Sequence, residues 1–162
     1  MRVPSIRRSG RSAALLCAFL LVAACGTEFF PITVRVDPDI VHDIRGIGKV
    51  LRETTDEATW ENTTEISIVL VVDIGRPGPE GAVGTASGLL RKRGWEASVD
   101  GHPHSMWMES RKWPDTEIMV SGVEFYTSPP GLDPDAEKAL RSAEAQTGSA
   151  GIVMLKLRRT QW

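Results

Sequence analysis

Histidine and methionine recur at every second position in His102, His104, Met106 and Met108. On an extended strand this spacing puts all four side chains on one face. Imidazole and thioether together suit copper, the thioether favouring Cu(I), so these four residues form the candidate metal site. A second reading competes with it. Gly101-His102-Pro103-His104 has the composition of a turn, and methionines at alternate positions after a turn are also what the inner face of a strand requires. Pro103 further interrupts the even pleat that four ligands on one face would need.

Other arrangements are weaker. Gly75, Gly78, Gly81 and Gly84 fall between a strand and a helix, where phosphate loops occur. Their spacing matches neither G-x-G-x-x-G nor the P-loop pattern. Pro77 and Pro79 remove amides that would face an anion, and Glu80 would repel one. The chain contains no G-x-S-x-G, S-x-x-K or H-E-x-x-H. His42 stands beside Asp43 in a helical stretch, the setting of a surface histidine. Asp37-Pro38-Asp39 and Asp133-Pro134-Asp135 resemble paired carboxylates, yet helix capping accounts for each. No catalytic residue is assigned.

The 162-residue chain is 41% hydrophobic and 25% charged, with a formal net charge of -2. These totals fit one folded domain and exclude a disordered tail or a disulfide scaffold. The average hides an asymmetry. Residues 1–24 carry Arg2, Arg7, Arg8 and Arg11 and no acid, whereas residues 25–162 hold 15 basic and 21 acidic side chains, a net of -6.

Behind the arginines, Ala13 to Ala24 is a continuous apolar run of twelve residues. A spanning helix needs about 20, so the run is laid out as an export signal. Val22-Ala23-Ala24-Cys25 then follows the order aliphatic, small, small, cysteine. This segment resembles the lipobox of bacterial lipoprotein precursors. The resemblance covers residues 1–26. It implies that the Cys25 thiol takes a diacylglyceryl group and that a peptidase cuts just before it, leaving Cys25 as the first residue. Two acyl chains give stable membrane attachment. The alternative is an ordinary secretory signal cleaved after Ala24. Arg7-Arg8 is followed by Ser9-Gly10, where a twin-arginine signal has an apolar pair. Cys17 would leave with the signal, so the mature chain would hold no other thiol.

The chain therefore divides into a cleaved signal peptide (1–24), a lipidated tether (25–31) and one α+β domain (32–162). Ile32 to Val36 alternates as a short strand. Asp37-Pro38 opens a helix, and Ile40, Ile44, Ile47 and Leu51 extend its apolar stripe to about Glu53. Thr54 to Glu65 reads as a frayed end and a loop. Ile66 to Ile74 is apolar on both faces, the mark of a central strand covered on both sides. A helix follows from Pro79-Glu80, with Val83, Ala86, Leu89 and Leu90 inward, Arg91-Lys92-Arg93 at its end and Gly94 as its stop. One half-exposed strand is expected from Trp95 through Met106 and Met108, interrupted at Gly101-His102-Pro103-His104, and another over Glu117 to Tyr126, with Gly122 a candidate bulge. After the turn Ser128-Pro129-Pro130-Gly131, Asp133-Pro134 caps a helix with Ala136, Ala139, Leu140 and Ala143 inward. Gly148 to Gly151 closes that helix and Ile152 to Leu157 is the last strand.

From about residue 66 this order is βαββαβ, the ferredoxin-like split βαβ arrangement, with an added N-terminal strand and helix. That arrangement leaves one sheet face open. The helix from Pro38 is the expected cover, with a partner protein as the alternative.

Three basic clusters remain: Arg91 to Arg93, Arg111-Lys112, and Lys156 with Arg158 and Arg159. A net charge of -6 argues against nucleic acid, and contact with anionic lipid head groups is their better use. The functional expectation is a lipid-anchored domain on the extracytoplasmic face of the cell membrane, binding an envelope protein or polymer without catalysis. A copper-binding lipoprotein using the His/Met strand is second. A small envelope hydrolase without a recognisable motif is third.

Overall fold

In the computed structural model, which describes residues 32–78, 80–126, 134–147 and 150–160, the first elements are β1 (Ile32–Arg35) and α1 (Pro38–Arg45). The export signal, Cys25, the tether, the turn at 128–131, Asp133 and Gly148 lie outside the described residues. Asp37 caps α1 as its composition predicts, its carboxylate accepting the Asp39 N–H at 2.9 Å. The helix ends eight residues earlier than its apolar stripe suggests. Gly46 caps it, and at Gly48 a Cβ would sit 2.5 Å from the Asp73 carbonyl oxygen, a close approach open only to glycine.

Leu51 therefore belongs to a strand and not to the helix. That strand, β2 (Lys49–Trp60), and the start of β3 (Thr63–Asp73) occupy the stretch expected to be a loop. They form an antiparallel hairpin turning at Glu61-Asn62, from Trp60↔Thr63 up to Lys49↔Asp73. Threonines at 54, 55, 59, 63 and 64 suit such a hairpin because branching at Cβ favours extended backbone. The remaining elements are α2 (Gly81–Arg91), β4 (Trp95–Gly101), β5 (Ser105–Ser110), β6 (Thr116–Gly122), a short 3-10 turn (Val123–Tyr126), α3 (Pro134–Thr147) and β7 (Ile152–Arg159). The strand expected over Glu117 to Tyr126 thus stops at Gly122. The sheet's irregularities lie elsewhere than Gly122, at Val50/Arg52 and Ala97/Val99.

All seven strands make one sheet. β2 covers one edge of β3 along its whole length. The other edge is shared: β1 pairs in parallel with Thr63 to Ile66, and β7 pairs antiparallel with Ile68 to Asp73. β6, β5 and β4 follow outward from β7, each antiparallel to the last.

Period-two alternation sorts these strands into two faces. On one face Leu70, Leu155, Val120 and Met106 form a cross-strand row, and Leu157, Ile118 and Met108 form the next. Val36, Ile40, Ile44 and Ile47 of the first segment and Val83, Ala86 and Leu90 of α2 pack on them in one core. On the other face Val69, Val71, Ile152 and Met154 meet Leu140 and Ala143 of α3. Arg52 adds a hydrogen bond to the Ser142 hydroxyl at 3.2 Å.

β3 is thus central and covered on both faces, as its composition predicts, but the cover differs from the expected one. α1 lies on the same side as α2, and α3 supplies the second layer. The fold is mixed α+β, with an arrangement different from the split βαβ. β7 sits between β3 and β6, the stretch expected as one interrupted strand forms the two antiparallel strands β4 and β5, and α2 and α3 lie on opposite faces of the sheet. The physical reason is in β3 and β7, whose residues are apolar on both sides and need a helix against each. Among the described residues, no helix is long and apolar enough to cross a bilayer.

Candidate functional site

The residues of the His/Met set take two different environments. Met106 and Met108 are 2% and 0% exposed, within the core under the first helical layer. His102 and His104 lie in the exposed turn between β4 and β5, where the His104 N–H donates to the Gly101 carbonyl and the His102 N–H to Asp100. Among the described residues, no three or more His, Cys, Asp or Glu side chains group as a metal site. An ion at this turn would meet the imidazoles, with both thioethers packed among apolar side chains.

The glycine-rich turn satisfies its own polar groups. The Gly78 N–H donates to the Thr85 hydroxyl at 2.8 Å, and that hydroxyl donates to Glu80 at 3.0 Å. His42 is exposed on α1. The C-terminal basic group is paired: Lys156 with Asp56, and Arg158 with Glu117 at 2.7 Å. The Arg158 guanidinium also lies 4.8 Å from the centroid of the Trp107 ring.

Two of the basic clusters converge. α2 ends in Arg91, with Lys92 at its cap. Arg93 turns back to donate to the Asp43 and Gly46 carbonyls at 3.1 and 2.9 Å, capping the C-terminus of α1 where a cation is favoured. Gly94, at φ 88, then reverses the chain into β4, a conformation that a Cβ disfavours. At the facing turn between β5 and β6, the Ser110 hydroxyl accepts the N–H groups of Lys112 and Trp113 at 3.2 and 3.0 Å. The Arg111 N–H donates to the Gly94 carbonyl at 3.1 Å and ties the two turns together.

Between these turns lies an open cleft of about 370 Å³, lined by Arg91, Gly94, Trp95, Glu96, Ala97 and Arg111. Glu96, its carboxylate, is ion-paired with Arg111. Trp95 is 1% exposed, and its indole N–H has no hydrogen-bond partner among the described residues. Trp113 packs beside Trp95 with centroids 6.4 Å apart, and the Lys112 ammonium stands 4.1 Å over the Trp113 ring. A larger hollow of about 500 Å³ is lined, among the described residues, by Pro134, Glu137, Lys138, Arg141 and Ser142, all on α3.

The cleft offers guanidinium groups from two elements over an apolar floor. That combination holds phosphate or carboxylate oxygens. It presents charge and hydrogen-bond donors, with the Glu96 carboxylate already engaged by Arg111. The sequence shows each basic cluster but not their meeting, which depends on the pairing Trp95↔Ser110. The part played by Trp95 and Trp113 was also missed. The one available signal is a tryptophan within two residues of each of these basic runs, in Arg93-Gly94-Trp95 and Lys112-Trp113. No family model, curated protein or solved structure shows a match to this chain.

Proposed function

We propose that the protein is a bacterial lipoprotein, exported, lipidated on Cys25 and held at the extracytoplasmic face of the cell membrane, where its α+β domain binds an envelope protein or polymer without catalysing a reaction. The observation that carries this reading is Val22-Ala23-Ala24-Cys25 at the end of a twelve-residue apolar run behind four arginines. Its support is joint. The apolar run is too short to remain as a spanning anchor, and a lipidated cysteine directly after it supplies the anchor instead. The non-catalytic part of the reading draws on the cationic cleft, whose lining suits the holding of an anionic group.

Growth with a clickable fatty acid tests the anchor. The wild-type protein is expected to incorporate the label and to sediment with membranes. Cys25→Ser is expected to lose the label and to leave the membrane fraction, since each buried methylene of the lost chains contributed about 0.8 kcal/mol to attachment. A Cys25→Ser protein that stays equally membrane-bound would refute the lipid anchor.

A further inference from the structure

We propose that the corner formed by Arg91, Lys92, Arg111, Lys112 and Trp113 rests on the anionic phospholipid head groups of the membrane that holds the protein; this rests on the lipid-anchor reading above. Three observations converge on it. The first is topological. Ile32 opens β1 opposite Thr63, and Trp60 pairs with Thr63. At the same end of the sheet lie the end of β7 and start of β6, paired as Thr116↔Arg159, and the pair Trp95↔Ser110. The entry of the tether, the α2–β4 turn and the β5–β6 turn therefore share one end. Asp73, Gly101, Ser105, Gly122 and Ile152 mark the other.

The second observation is reach. Seven residues, 25–31, separate the start of β1 from the membrane and extend at most about 25 Å. A lipid on Cys25 therefore keeps the tether end of the sheet close to the surface. Ile32, the first residue of that end, is an apolar side chain 61% exposed.

The third is charge. The chain from 25 onward is acidic at -6, yet this corner gathers four exposed cations, Arg91, Lys92, Arg111 and Lys112, against three exposed acids, Glu96, Glu109 and Asp115, of which Glu96 is paired with Arg111. Each Lys or Arg brought to an anionic surface biases the equilibrium roughly fivefold. Trp113, with Lys112 over its ring, has the amphipathic character that places tryptophan at the level of the head groups. On the same end, the β2–β3 hairpin carries exposed Glu57 and Glu61, which an anionic surface repels. Ile32 enters beside this tip, its N–H donating to the Asn62 carbonyl at 2.9 Å, so the domain leans within the reach of the tether, with the β4–β6 side towards the lipid and the tip's carboxylates turned from it. The cleft between Arg91 and Arg111 is the place where a head-group phosphate is held.

Loss of Cys17 with the signal leaves Cys25 as the mature chain's cysteine, and its lipidation frees a single introduced thiol for labelling. Full mature lipoprotein carrying a spin label at Pro114→Cys, in the β5–β6 turn, or at Arg76→Cys, beyond β3 at the far end, is reconstituted into phosphatidylcholine vesicles with or without phosphatidylglycerol. Relaxation by a nickel-chelating lipid reports proximity to the head groups. The expected result is relaxation at position 114 at least about fivefold above that at 76 when phosphatidylglycerol is present. That excess should shrink in phosphatidylcholine alone, in high salt, and in Arg91→Gln/Lys92→Gln/Arg111→Gln/Lys112→Gln, whose circular dichroism checks the fold. Equal relaxation at both labels, or an excess indifferent to lipid charge, overturns the orientation while leaving the anchor intact. Protein that fails to stay with either vesicle has lost the anchor itself, which overturns both readings.

Discussion

Truncating Leu155 to alanine is expected to destabilise the domain by about 3–5 kcal/mol, a large share of the roughly 5–15 kcal/mol that holds a domain of this size together. Leu155 is fully buried and central in the cross-strand row that runs from Leu70 through Leu155 to Val120 and Met106. It belongs to the core that the first helical layer covers. The loss has two parts: the transfer energy of the removed methyl groups and the cavity that a sheet paired on both edges cannot close. Urea unfolding of the mature chain measures it. A drop in midpoint with an unchanged slope is the expected form, and a loss below about 1 kcal/mol would show that the row is less tightly packed than described.

Gly151→Ala is expected to destabilise by about 2–4 kcal/mol, for a different reason. A Cβ at Gly151 would lie 2.2 Å from the Gly75 carbonyl oxygen and 3.1 Å from an Asp73 carboxylate oxygen. Backbone meets backbone there, so no side-chain rotation relieves the clash. The Gly151 carbonyl also accepts the Ile74 N–H at 3.0 Å, and Asp73 accepts the Gly75 N–H at 2.8 Å. Any shift that admits the methyl group weakens the junction where β3 leaves the sheet and β7 enters it. Gly88→Ala is the control with opposite sign. That glycine lies within α2 with nothing near its missing Cβ, so alanine should stabilise by about 0.5–1 kcal/mol through helix propensity. Thermal unfolding of the two variants side by side separates close approach from generic glycine effects. Equal and small shifts of the same sign would contradict both arguments.

The elements that the sequence foretold are those in which local pattern and tertiary demand agree. β3 is apolar on both faces and is buried on both. α2 carries Val83, Ala86 and Leu90 inward, all buried, and stops where cations and Gly94 say it should. α1 was overextended because Ile44, Ile47 and Leu51 keep helical spacing across two glycines. Ile44 and Ile47 do enter one core, but Leu51 packs on the opposite face of the sheet. β2 was missed for the reverse reason: as an edge strand with most of its residues exposed, it had no apolar alternation to betray it. Which helix covers which face is equally illegible, since it follows from the insertion of β7 beside β3, a pairing between residues as far apart as Ile68 and Leu157.

The candidate site divides in the same way. The turn reading of Gly101-His102-Pro103-His104 and the core reading of Met106 and Met108 describe where those residues lie. The basic runs were visible as runs, yet a cationic corner exists only because the antiparallel register carries the end of α2 to the β5–β6 turn, where the Arg111 N–H reaches the Gly94 carbonyl. Register is set by the buried alternation of whole strands, so charges flanking those strands are assembled by residues that carry no charge.

The central claim is that this acidic α+β domain is tied to a membrane through Cys25. Mass spectrometry of the N-terminal peptide, from protein extracted with detergent from the membranes of a lipoprotein-processing bacterium, tests it most directly. The expected product is a mature chain that begins at Cys25 and carries a thioether-linked diacylglyceryl group. A chain that begins at Cys25 with an unmodified thiol, one that begins beyond residue 25, or one that retains residues 1–24 would refute the lipid anchor.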